Sequence, residues 1–199
     1  MRTQSLKKFK GRLARVNDQL CYHFFASAQA RPTIDQLVVA SPEALVSASF
    51  PENSFGPRID IRNKLLPRFQ RAATETLGGL ALVSAVECIL SYCDEIQTLR
   101  AQLTPSPGDS IKDEKAEEQL ALKLTAWGSP PNIALTKSLA YLRLRRNQIA
   151  HVNTEPHPSL TSVTKNYGRV LSTYWAKQPT ALKELSFTSQ DFSVSTVVV

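Results

Sequence analysis

A chain of 199 residues suits one domain with appendages, and it can bury a sizeable core without staples. Its 42% hydrophobic and 21% charged residues are ordinary for a soluble globular protein and argue against a disordered, collagenous or disulfide-built class. The net charge of +7 lies wholly in residues 1–72, where twelve Lys/Arg face five Asp/Glu, while residues 73–199 balance at twelve each; this favours a polyanionic partner such as nucleic acid, although a solvated basic face fits the same count.

Taken in order, residues 3–30 predict a first helix. Leu6, Phe9, Leu13, Val16, Leu20 and Phe24 follow heptad-like steps and give it one apolar face. Lys7, Lys8, Lys10 and Arg12 lie mostly off that face, where they could meet phosphates or simply keep the helix soluble. Arg31-Pro32 is expected to end the helix, because a residue before proline avoids helical geometry. Residues 31–60 carry four prolines and read as a long connection, with a short helix near 42–48 and Ser41 as its N-cap. Residues 60–71 predict a short basic helix. Within it, Arg62-Asn63-Lys64-Leu65-Leu66-Pro67 is assigned no chemistry.

Residues 72–103 predict the longest helix, striped by Leu82, Val86, Ile89, Cys93 and Ile96. Glu87 is the lone charge from 76 to 93, so it either pairs with a buried cation or faces water beside Ser84 and Ser91. Gly78-Gly79 suits a close helix crossing or a kink. Interrupted by Glu87 and these glycines, the run is expected to be too short for a membrane span. A turn follows at 104–108, then a helix over 113–127 with Leu120 and Leu124 inside. Residues 131–150 form the next helix, striped by Leu135, Leu139, Leu142 and Ile149. A last helix over 159–177 turns Leu160, Val163, Tyr167, Val170, Leu171 and Tyr174 inward. The tail, 186–199, alternates as a strand does and either pairs with a second copy or stays disordered.

The basic N-terminus leads into no apolar stretch with a cleavage site, so no signal peptide is expected. Cys21, Cys88 and Cys93 are odd in number and lack CxxC spacing. They read as reduced thiols of a cytoplasmic protein without disulfides or a zinc knuckle.

Chemistry concentrates at Arg146-Asn147-Gln148-Ile149-Ala150-His151, where a leucine-striped helix ends in a guanidinium, an amide and an imidazole. Arg146 falls on the apolar stripe, which is costly unless the cation is paired or reaches a polar cleft. Glu87 is the favoured partner. His151 can carry a proton near neutral pH. In-line attack of a 2′-hydroxyl on a phosphodiester needs a proton acceptor, a proton donor and a cation for the phosphorane charge. His151 could fill either proton-transfer role, Arg146 could hold the phosphate through its fork of donors, and Asn147 could orient the ring. Arg146 and His151 stand about 140° apart on a helix, so they converge only if Arg146 reaches round, the helix end unwinds, or a second copy completes the site. The bland alternative is structural: Arg146 pairs with Glu87, and His151 caps a helix C-terminus.

The order Arg-polar-x3-His near the end of a helix, preceded by the leucine-rich run from Ser138 to Arg145, resembles the HEPN superfamily over residues 70–177. The resemblance implies an all-α, HEPN-like bundle of about four core helices, here with an added N-terminal basic helix and a short extended C-terminal tail. It implies a homodimer with the two motifs in one basic cleft. It also implies metal-independent cleavage of RNA to 2′,3′-cyclic phosphate ends, by a toxin or phage-defence effector held by an antitoxin or regulatory protein. Inactive members bind RNA or nucleotides or serve in assembly, and that is the alternative function. Asn153 stands where some toxin subfamilies place Tyr, which leaves a RiboL-PSP-like or other defence-associated group. On this reading Arg146, His151 and Asn147 are catalytic and Glu87 and Asn153 supporting. Lys7, Lys8, Lys10, Arg12, Arg143 and Arg145 contact RNA, and no cofactor or membrane is needed.

Competing chemistries are weaker. His151, Glu155 and His157 form H-x3-E-x-H, but two prolines make it a loop rather than a zinc helix, so no metal site is expected. No phosphate-cradling glycine loop or Ser-His-Asp signature is present. The expected division is 1–60 (basic helix and connection), 61–178 (bundle) and 179–199 (tail).

Overall fold

The computed structural model describes residues 3–103, 115–151 and 157–177, and among them every regular element is helical. Six α-helices follow one another: α1 (Gln4–Ala40), α2 (Val46–Ser49), α3 (Leu66–Leu103), α4 (Ala116–Ala126), α5 (Ile133–Ala150) and α6 (Pro158–Ala176). Short 3₁₀ turns occupy Gly56–Arg58 and Asn63–Leu65. The protein is all-α, as expected. The expected turn at 104–108 and strand-like tail lie outside the described residues.

The chain divides into two compact units, one made of Met1–Val16 with Gly79–Val199 and the other of Asn17–Gly78. The boundaries between these units fall inside the two longest helices. The helices themselves are longer than expected, since the first does not end at Pro32 and the long one does not begin at residue 72. α1 runs straight through Pro32 to Ala40. A helical proline forfeits one backbone hydrogen bond and costs about 3 kcal/mol. Ile34, Leu37 and Val38 beyond it are half-buried and extend the apolar stripe, which offsets that cost. α3 begins at Leu66, with Pro67 in its first turn, where a missing N–H goes unnoticed.

In the Asn17–Gly78 unit the two helices pair antiparallel. His23 Nε2 lies 3.2 Å from Thr74 Oγ1, and Gln70 Nε2 donates to Ser27 O at 2.7 Å and to Ser27 Oγ at 2.9 Å. The connection between them is not a loose loop. It winds around Asn63, which is fully buried. Asn63 donates its backbone N–H to Ala44 O and its Nδ2 to Ser41 O (2.9 Å) and Ser49 Oγ (2.8 Å). An antiparallel bridge joins Leu45 and Arg62 beside it. Glu43 accepts from Lys64 and from Arg62, and these hydrogen bonds, Lys64's first, hold its exposed carboxyl below the usual range. The Arg62-Asn63 pair thus organises a fold. Asn63→Ala is expected to cost this unit about 1–3 kcal/mol, the toll of unsatisfied buried carbonyl and hydroxyl groups. An unchanged urea midpoint would show that the connection is held by something else.

In the other unit, Phe9 stacks on Tyr92 with ring centroids 4.6 Å apart, and Ser5 donates to Glu95 at 2.8 Å. The core gathers between α5 and α6: Ala134, Tyr141 and Leu144 meet Leu160 and Leu171, flanked by Val163, Tyr167, Tyr174 and Trp175. α6 follows the expected stripe with one correction, since Val170 is 46% exposed while Gly168 and Trp175 turn inward.

The stretch Asn63–Leu103 is long and apolar enough to cross a membrane by length and composition, and its most apolar window, of mean hydropathy 1.6, is only 17% buried. The helix expected over 72–103 does run unbroken through Gly78-Gly79 and Glu87. What differs is the expectation that its apolar run is too short for a membrane span, since a single carboxylate lowers the mean hydropathy of so long a run only a little.

Candidate functional site

The site is built on α5. Gly128, at φ +76°, turns the chain out of α4, and two prolines keep it extended to Asn132. Asn132 Oδ1 caps α5 by accepting from the Ala134 N–H at 2.7 Å. The leucine stripe is not the deepest face of the helix. Leu135 is 45% exposed, whereas Ala134, Ser138, Tyr141 and Arg145 are buried, as are Ala140, Arg143 and Leu144. α5 packs against both α4 and α6, so its buried arc is wider than an amphipathic pattern implies.

That arc changes the roles of two arginines. Arg143, 8% exposed, grips Glu117 of α4 bidentately, Nε to Oε2 at 2.8 Å and Nη2 to Oε1 at 3.0 Å. Burial alone would raise the Glu117 carboxyl, but the Arg143 hydrogen bonds, with lesser help from its own backbone N–H and the charges of Arg143 and Lys137, hold it below the usual range. Arg145, 3% exposed, donates to Tyr141 Oη at 3.2 Å and to Gln148 Oε1 at 3.1 Å. Both were expected to meet RNA phosphates. They instead lie inside the protein, committed to groups of the same chain, and that expectation is corrected.

Arg146 meets its expected partner. Its Nη2 lies 3.4 Å from Glu87 Oε1 on α3, with the Arg side chain 12% exposed and the Glu side chain 58% exposed. Both sequence alternatives hold together: Glu87 pairs, and it also faces solvent. Nearby, a Cβ on Gly79 would stand 3.2 Å from Ile149 Cγ2, so glycine permits α3 its close approach to α5. Because one end of the Glu87–Arg146 pair is wet, Glu87→Gln is expected to cost no more than about 1 kcal/mol. A melting point lowered by 10 °C or more would place that carboxylate in the core.

His151 is the C-cap of α5. Its backbone N–H reaches Asn147 O at 3.0 Å, and its side chain is exposed. Asn147, one turn earlier, is half-buried, and its Oδ1 is buried without a hydrogen-bond partner among the described residues. Asn153 lies outside the described residues. Lys7, Lys8, Lys10 and Arg12 are exposed on α1, and among the described residues none of the four joins an ion pair, so their charge is uncompensated locally.

Sequence reasoning used His157 only within a metal pattern. In the structure it is the N-cap of α6: its Nδ1 accepts from the Ser159 N–H at 3.2 Å, and the ring is exposed. The signal lay in His157-Pro158, a polar residue directly before a proline that opens a helix. No group of three or more metal-ligating side chains occurs among the described residues. Burial, then the neighbouring Asp94 charge, push the Cys93 thiol up, so Cys93 is no activated nucleophile.

Comparison with protein-family models, with curated proteins and with solved structures gave no match.

Proposed function

We propose that the protein is a metal-independent endoribonuclease of the HEPN type, working as a homodimer in the cytoplasm as a toxin or defence effector under the control of a regulatory protein. The observation that carries this reading is an exposed imidazole, His151, at the C-terminal end of a helix packed on two sides, one turn beyond Asn147 and beside the Arg146–Glu87 pair. A proton-transfer group must reach substrate, and a rigid helix end sets its position. In this scheme His151 takes the 2′-hydroxyl proton, the 2′-oxygen attacks phosphorus, and the bond to the 5′-oxygen breaks. A second copy's imidazole protonates the leaving oxygen. The Glu87 carboxylate is wet and its contact with Arg146 is long, so a phosphate can compete for that guanidinium. The lysines of α1 supply the long-range attraction for RNA.

One observation favours a second reading, a non-catalytic RNA-binding module: Arg146 is 88% covered and engaged, leaving little of its guanidinium facing solvent. Incubation with mixed cellular RNA in EDTA, with end-group analysis, separates the two. Cyclic-phosphate ends are expected. RNA binding without product would establish the module instead.

A further inference from the structure

α5 and α6 form an antiparallel hairpin whose register is fixed away from the candidate site. Trp175 Nε1 donates to Ser138 Oγ at 2.8 Å, and Lys137 Nζ lies 5.1 Å from the Tyr167 ring centroid. The beginning of α5 therefore sits beside the end of α6. With the two helices antiparallel, the close of α5, capped by His151, and the start of α6, N-capped by His157, lie at the same end of the hairpin. Packed helices run about 8–10 Å apart, so two exposed imidazoles from one chain flank the same end of the hairpin.

We infer that His157 is a phosphate-holding residue of the His151 site: its Nε2–H donates to a non-bridging oxygen of the RNA phosphodiester while His151 faces the reacting 2′-hydroxyl. This rests on the proposed RNA-directed reading and deepens it. The cap defines what His157 can do. Its Nδ1 accepts from the Ser159 N–H, so the neutral ring carries its hydrogen on Nε2, on the far side of the ring. Taking a second proton at Nδ1 would break the cap. His157 is thus built to donate a fixed hydrogen bond, not to shuttle a proton, and the shuttle is left to His151. The backbone donors of the same turn are occupied, since the Leu160 and Thr161 N–H groups both reach His157 O, at 2.8 and 3.2 Å. The donors this turn can still offer outward are therefore side chains, the imidazole beside the exposed Ser159 and Thr161 hydroxyls.

The test uses the full chain and a fluorescent 2′-O-methyl RNA oligonucleotide, which binds but cannot be cleaved. His157→Asn keeps a good N-cap acceptor but brings its amide donor back toward the backbone. It is expected to melt as the wild type does and to bind the oligonucleotide about tenfold more weakly, the scale of one hydrogen bond to a charged group. His157→Gln restores a donor at the longer reach, and its affinity is expected to lie closer to wild type. Equal affinity of wild type and His157→Asn would overturn the inference, as would failure of the wild type to bind. If His157→Asn melts well below wild type, His157→Gln decides: retained binding supports the donor, and binding as weak as that of His157→Asn overturns it. Because the probe is inert, His157-dependent binding in a protein that yields no cyclic phosphate would retire the nuclease reading and leave this site standing as a binding site.

Discussion

His151→Ala is expected to abolish metal-independent RNA cleavage, by about a thousandfold or more, while the protein melts within a degree or two of wild type. The two halves of the expectation have separate causes. His151 is exposed and its cap hydrogen bond is made by its backbone, which alanine keeps, so little stability hangs on the ring. General acid–base catalysis by a positioned side chain is worth about 10² to 10⁴ in rate. If the second copy supplies the other imidazole, both roles are lost together and the loss lies at the upper end of that range. The informative control is a mixture of His151→Ala with Arg146→Ala protein. Partial recovery of activity would mean that two chains share one site and that a single imidazole suffices in it, whereas none is expected if both imidazoles are needed. Cleavage by His151→Ala at the wild-type rate would remove His151 from the chemistry altogether.

Glu117→Ala should have the largest effect on stability. Glu117 and Arg143 are 7% and 8% exposed, and alanine would withdraw both oxygens that the guanidinium grips. Breaking a buried ion pair by removing one member costs about 3–5 kcal/mol. For a chain of this size that is a melting point lower by roughly 6–20 °C. Replacing both members by apolar residues, Glu117→Leu with Arg143→Met, should recover most of the loss, since the cost lies in the stranded cation rather than in a missing attraction. A double variant no better than Glu117→Ala would refute that account. The same pair predicts an acid limb. The folded Glu117 carboxyl is held below its usual value, so the folded state binds fewer protons than the unfolded chain. Its contribution is complete above the unfolded value, about 4.3, and is lost as pH falls through the lower folded value. Melting points measured from about pH 6 to pH 3 should fall less steeply for Glu117→Gln than for wild type. Parallel curves would assign the acid limb to other carboxylates.

Several features were legible because they depend on near neighbours in the chain. The three-and-four spacing of Leu6, Phe9, Leu13 and Val16 marks the half-buried face of α1, and the stripe from Leu160 to Tyr174 marks that of α6. Glu87 and Arg146 are far apart in sequence, yet each is a charge set among apolar residues, and the cost of leaving either alone pointed to the other. His151 was legible as the end of a helix for the same local reason.

The amino-acid sequence by itself determined the all-α class, the approximate helices and the placement of His151 at a helix terminus, since periodicity and capping are properties of a few consecutive residues. It named Glu87 as the favoured partner of Arg146, and the fold made that contact. Tertiary structure alone decided the rest. Pro32 lies within a helix because residues beyond it still find a packed face. Arg143 and Arg145 are buried because α5 is covered on more than one side, which a one-face amphipathic pattern does not encode. Asn63, passed over as chemically silent, holds a connection together through partners 14 to 22 residues away in the chain. His157 stands at the same end of a hairpin as His151 because α5 and α6 run antiparallel. In each case the deciding contact joins residues distant in sequence, and the free energy of packing exceeded the local preference that the sequence displays.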